Sequence, residues 1–133
     1  MPRSQSDPLA RKEEADLILE RTADQFRRLL QEAAAELRPF PPFPGAFFTN
    51  ATEVEPELGA RADLGCVVVC EDGELYELEM SMDFSEGAQD PVAARDETLK
   101  PLKDLHPRHY VLYAYEALKR VTEFLLEREE GKP

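Results

Sequence analysis

Glu74-Leu75-Tyr76-Glu77-Leu78-Glu79-Met80-Ser81-Met82-Asp83-Phe84 is the stretch whose pattern decides the fold. Tyr76, Leu78, Met80, Met82 and Phe84 alternate with Glu77, Glu79, Ser81 and Asp83. Strand side chains point to opposite faces with period two, so the pattern predicts a strand with one apolar and one acidic, solvated face. Just upstream, residues 61–70 contain the β-branched run Val67-Val68-Val69 and predict its antiparallel partner. A two-residue Asp72-Gly73 turn would set Cys66 against Glu79 and Val68 against Glu77. A three-residue loop, Glu71-Asp72-Gly73, sets Ala62, Leu64, Cys66 and Val68 against Met82, Met80, Leu78 and Tyr76. The second register gathers the apolar partners on one face and leaves Asp63, Gly65, Glu77, Glu79 and Ser81 on the other. Burial therefore selects it, with Gly73 left-handed in a type I turn with a bulge.

Working outward, a first strand is expected over about 47–54, ended by Pro56 and Gly59, with the third over 74–84. Residues 85–105 are weakly patterned and read as an irregular connection holding a short helix over about 91–97, opened by Asp90-Pro91. Near the N-terminus, Asp7 and Pro8 form a cap and a first helical position. Ala15, Ile18, Thr22, Phe26, Leu29, Ala33 and Leu37 follow at spacings of three and four, one apolar stripe that Pro39 ends. A helix of that extent reaches about 45 Å, longer than a small core needs, so its excess frays or packs on a second copy. The Pro/Phe-rich segment 39–45 reads as an extended linker whose Phe40 and Phe43 plug the core edge. The last element is a helix opened by Pro107 and closed by Gly131, with a core stripe through Val111, Ala114, Tyr115, Leu118, Val121 and Leu125.

The expected fold class is α+β, one domain over 1–133 with residues 1–8 a flexible tail. A long N-terminal helix, a three-stranded antiparallel meander and a C-terminal helix follow in order. Both helices are placed on the Tyr76–Phe84 face. Two open sheet edges and two broad helical stripes favour a homodimer.

Net charge is −12 over the 133 residues, and it is unevenly spread. Residues 46–100 hold 3 basic and 14 acidic side chains, while the flanking segments are nearly balanced. Such a field disfavours nucleic acid and anionic lipid and favours a basic protein partner. No apolar run approaches the roughly 20 residues that span a bilayer, and no secretory apolar region opens the chain, so a cytoplasmic protein is expected. Cys66 and Cys70, on one strand, would lie about 13 Å apart. A disulfide needs less than about 7 Å, so both read as small buried hydrophobes.

The leading functional expectation is a non-catalytic binding or adaptor domain that docks a basic partner on its acidic sheet face, through Asp63, Glu77, Glu79 and Asp83. Glu77 and Glu79 stand about 7 Å apart on one strand face, a spacing that also suits acid–base work, but no pocket forms around them in the sequence. Nucleophile elbows, phosphate-binding loops and dinucleotide fingerprints are missing, so no catalytic residue and no cofactor are assigned. The alternative is a small ligand- or metal-binding protein or enzyme with a pocket between sheet and helices near His106 and His109. Tyr76, Tyr113 and His109 would line it, and Asp104, His106 and His109 are the metal candidates.

Overall fold

A computed structural model describes residues 7–82 and 95–131. Asp7 starts the first helix as expected: its carboxylate accepts from the backbone N–H groups of Leu9 (3.1 Å) and Ala10 (3.3 Å), two of the donors a helix N-terminus leaves unpaired. That helix, α1, runs Pro8–Glu36, so Asp7 and Pro8 belong to an ordered start; residues 1–6 of the expected tail lie outside the described residues. The strands are β1 (Ala51–Glu53), β2 (Cys66–Cys70), β3 (Leu75–Met82) and β4 (Arg95–Pro101), and the chain ends in α2 (Pro107–Glu130). They form one antiparallel sheet in the order β1-β2-β3-β4, an α+β fold. The sheet has four strands rather than three. Residues 95–97, expected to be helical, begin β4, and 91–94 lie outside the described residues. Alternation in Asp96-Glu97-Thr98-Leu99-Lys100 is blurred because charges sit on both faces, which suits an edge strand.

The hairpin register is the expected one from Cys66 onward, but Ala62 and Leu64 precede β2 and do not pair with Met82 and Met80, which face β4 instead. Cys66 pairs with Leu78, Val67 with Glu77, Val68 with Tyr76 and Val69 with Leu75. Gly73 N donates to Cys70 O (2.9 Å) and Cys70 N donates to Glu74 O (3.2 Å), closing the three-residue loop. Gly73 has φ +78°, and Asp72 steadies the turn by accepting from Glu74 N at 2.9 Å.

The helices, however, pack on the other face of the sheet. Their shared core with Val54, Val67, Val69 and Leu75 includes Leu30, Ala34, Leu37, Tyr113, Ala117 and Val121. This is the side on which Glu77 lies, opposite to the Tyr76–Phe84 face expected to receive them. The physical reason is the continuous apolar run in β2: Val67 and Val69 face one way while Cys66, Val68 and Cys70 face the other, so the strand needs cover on both sides. The second side is closed by the chain itself. Instead of staying extended, the segment after α1 folds back through a bridge between Pro42 and Asn50 and a turn at Gly45. It lays Phe43 against Ala51, Val68, Cys70 and Leu78. Phe40, three residues earlier, enters the helix-side core. Leu78 is therefore 4 % exposed, whereas Met80, past the contact with Phe43, is 41 % exposed.

α1 and α2 run side by side in the same direction. The Arg27 guanidinium lies over the Tyr110 ring near the start of α2 (4.5 Å), and Arg128 near its end donates to Pro39 O just past the end of α1 (2.5 Å). His106 caps α2 by accepting from Arg108 N at 3.1 Å, and Gly131 ends it with φ −80°, in the right-handed rather than the left-handed region. Because α1 meets the start of α2 only near Ala23, its first four turns overhang the core, about 22 Å at about 1.5 Å per residue.

Gly73 is the backbone position least able to change. A Cβ there would stand 2.6 Å from Gln31 Cα on α1, on a residue already at positive φ. Gly73→Ala is expected to lower unfolding free energy by about 2 kcal/mol in urea titrations, combining the φ penalty with a clash that backbone cannot easily relieve.

Candidate functional site

The helix layer covers the sheet over Val67, Val69 and Leu75 but leaves most of the β3–β4 surface on the same side open. There the register aligns Glu77 with Lys100, Glu79 with Thr98 and Ser81 with Asp96. Glu79, Ser81, Asp96, Thr98 and Lys100 are exposed and Glu77 is half-buried. β2 begins at Cys66, opposite Leu78, so among the described residues β3 from Glu79 onward pairs only with β4. The two strands thus extend as an arm whose one face carries carboxylates at Glu79 and Asp96.

The four residues expected to form the acidic surface fare differently. Asp63 lies in the loop before β2 and is held by the Arg61 guanidinium through two hydrogen bonds, which keeps its carboxyl below the ordinary value. Glu77 accepts from Gly65 N at 2.5 Å and so fixes that loop to the sheet. Glu79 is solvated, and Asp83 lies outside the described residues. The open carboxylates are therefore Glu79 and Asp96, with Glu77 at the margin; Asp96 escaped notice because its strand did.

On the arm's other face, Glu97 organises the loop that closes the second core. Its carboxylate accepts from Phe47 N (2.6 Å), Phe48 N (3.0 Å) and Thr49 Oγ1 (2.7 Å). This clamp holds the Phe47 and Phe48 backbone beside Met80 and Leu99, leaving four exposed apolar side chains around one carboxylate. The Phe47-Phe48 pair was visible in the sequence; its anchor, some fifty residues away, was not.

The residues of the alternative pocket do not converge. Tyr113 is buried on the helix side, where its hydroxyl oxygen accepts from Arg61 N at 2.9 Å and its ring lines a half-open cleft of about 400 Å³ with Glu53, Val54 and Val67. Tyr76 belongs to the opposite face and donates its hydroxyl to the Asp72 carboxylate at 2.5 Å, an interaction that raises its pKa to about 12. His109 lines neither the Tyr113 cleft nor the cavity of about 370 Å³ beside Tyr76. Burial, followed by the nearby Arg108, Arg61 and His106, holds the His109 imidazole below its ordinary value. His106 is committed to its cap, its ring edge-to-face with that of His109 at 6.4 Å. Asp104, His106 and His109 form no ligand set: among the described residues, no three His, Cys, Asp or Glu side chains gather as a metal ion requires. No helix among the described residues is long and apolar enough to cross a membrane.

Compared with known protein families, curated proteins and solved structures, the chain matches none of them.

Two outcomes follow from this geometry. Glu97→Ala removes the acceptor from two backbone amides, so hydrogen exchange at Phe47 and Phe48 is expected to accelerate strongly, with a global loss of about 1–3 kcal/mol. The cysteines supply a second check. Burial pushes the Cys66 thiol to about 11, aided by Glu53 beside it, and Cys70 to about 12. At pH 8 both are thiols, so alkylation by iodoacetamide is expected to be slow, with half-exposed Cys66 modified well before buried Cys70 and the difference erased in denaturant. The sign for stability follows. The folded thiols keep their protons above the ordinary value of 9.0 while the unfolded ones lose theirs, so this contribution is full below pH 9 and falls as pH rises towards 11–12.

Proposed function

We propose that this protein is a non-catalytic binding domain that docks a basic partner surface through the open face of its β3–β4 arm. The observation that carries the reading is the exposure of Glu79 and Asp96 on a sheet surface that neither helix covers, in the segment holding nearly all of the net negative charge. Glu77 extends the patch towards the core. On the arm's other face, Met80, Leu99, Phe47 and Phe48 offer apolar contact to a partner that wraps around the arm and carries aliphatic side chains. The carboxylates placed elsewhere in the middle segment are less free to serve this role, since Asp63, Glu71, Asp72 and Glu74 each hold a group of the same chain. Exposed ion pairs contribute only about 0.2–1 kcal/mol each, so the docking is weak per contact and strongly dependent on salt.

Titration of the ¹⁵N-labelled protein with a lysine-rich peptide tests this directly. Amide shifts are expected to concentrate at 77–81 and 96–100, and affinity to fall about tenfold or more between 0.05 and 0.5 M salt. Glu79→Lys with Asp96→Lys is expected to abolish the effect, and a glutamate-rich peptide to produce none. Shifts centred elsewhere, or binding indifferent to the charge reversal, would overturn the reading.

A further inference from the structure

The side of the helix layer turned away from the sheet lacks a partner in this chain. Ile18 and Leu29 on α1 are 56 % and 51 % exposed, and Tyr115, expected in the core stripe of α2, is instead 57 % exposed. Between the two helices runs an apolar groove, marked by the edge-to-face contact of Phe26 with Tyr115 at 6.4 Å. Phe26 and Ala33 line it from α1, and Val111, Leu118 and Leu125 from α2, all half-buried. The overhanging start of α1 carries the same apolar line past the start of α2, where nothing among the described residues covers Ile18.

That line reads nearly the same backwards. Arg11, Ile18, Leu29 and Glu36 are spaced by 7, 11 and 7 residues. At 3.6 residues per turn all four fall within about 20° of one another around the helix. Between the two charged ends Ile18, Thr22, Gln25 and Leu29 lie within about 30° of the line, with Ala15 and Ala33 about 50° to one side and Glu14 and Glu32 about 50° to the other. Laying a second α1 antiparallel therefore sets Ile18 beside Leu29 of the other copy, twice, and Arg11 beside Glu36, twice. The antiparallel arrangement also opposes the two helix dipoles favourably. An overlap of residues 11–36 spans about 39 Å, with a face about 10 Å wide over the overhang and about 20 Å wide where α2 runs alongside. That gives roughly 600 Å² per partner, at the lower end of standard interfaces.

We propose that two copies of this chain associate about a two-fold axis near Ala23 and Asp24, the overhanging half of each α1 lying antiparallel in the groove between α1 and α2 of the other. The occupant is a second copy because the surface is its own complement in both apolar contact and charge. The contact uses the helix layer and leaves the β3–β4 arm untouched, so it stands independently of the function proposed above.

Sedimentation velocity on the full chain over about 1–100 µM tests the pairing. The expected species has twice the 15.1 kDa mass of the chain. Ile18→Glu, at an exposed position that leaves the helical circular-dichroism signal unchanged, is expected to give monomers throughout. Arg11→Glu and Glu36→Arg should each weaken the dimer several-fold by juxtaposing like charges, and the double variant should restore it. A wild-type chain that remains monomeric at the highest concentration, or a dimer that survives Ile18→Glu, would overturn the interface. Additive weakening in the double charge variant would overturn the antiparallel register.

Discussion

Two-sided burial of β2 is the constraint from which the rest of this structure follows. Val67 and Val69 point to one face and Val68 and Cys70 to the other, and all four are buried. Burying a valine side chain is worth about 1.5–3 kcal/mol, so leaving either face wet would forfeit a large part of a small domain's stability. One sheet face therefore recruits both helices, and the other recruits the loop carrying Phe43. A three-residue turn at Gly73 then brings β3 alongside with Leu75 facing the helices and Leu78 facing the loop. Slipping the pair by one residue would turn Leu75 out and Glu77's neighbours in, which is why turn and burial agree on one register.

This also explains which parts could be read directly from the residues. The Asp7 cap, the extent of α1, the Glu71–Gly73 loop and the whole of α2 are local: each depends on a capping side chain, a proline, a glycine or a periodicity within one segment. β4 was hidden because Asp96, Glu97, Thr98 and Lys100 lack period-two hydrophobicity, and only β3 beside it makes them a strand. The choice of sheet face went the wrong way for a different reason. Alternation in β3 alone points the helices to the Tyr76 face, whereas the unbroken apolar run in β2 calls for two covers. Of the acidic surface, Glu79 was found where expected, Asp63 and Glu77 were drawn into contacts with Arg61 and Gly65, and Asp96 and Glu97 depended on the unseen strand.

Much of the negative charge of the middle segment is spent on holding the fold together. Glu71 pairs with Arg38, Glu74 accepts from Gln31, and Asp72 takes the Tyr76 hydroxyl and the Glu74 amide. The Glu74 and Glu71 contacts tie the β2–β3 turn to α1 and to the residues just past it, on the same line where Gly73 comes close to Gln31, while those of Asp72 brace the turn itself. Glu97 fastens the Phe47–Thr49 backbone across the second core. Composition alone suggests a uniformly acidic surface. The placement gives something narrower: structural acceptors around the turn and loop, and a small solvated patch on the arm.

A chain of net charge −12 that pairs with itself must keep its charges apart, and the architecture offers the means. The open carboxylates Glu79 and Asp96 lie on the sheet, whereas the proposed contact surface lies on the far side of a helix layer about 10 Å thick. Two copies meeting through their helices thus hold these patches separated by two such layers, about 20 Å, well beyond the screening length of about 8 Å at physiological salt. Across the contact itself Arg11 and Glu36, the charges on the α1 line, are opposite in sign when the helix is reversed, and Glu14 and Glu32 at its margin fall beside Ala33 and Ala15. Repulsion between the acidic arms is therefore a small term against burial of Ile18, Leu29 and Tyr115, and the same layering leaves both arms facing solvent.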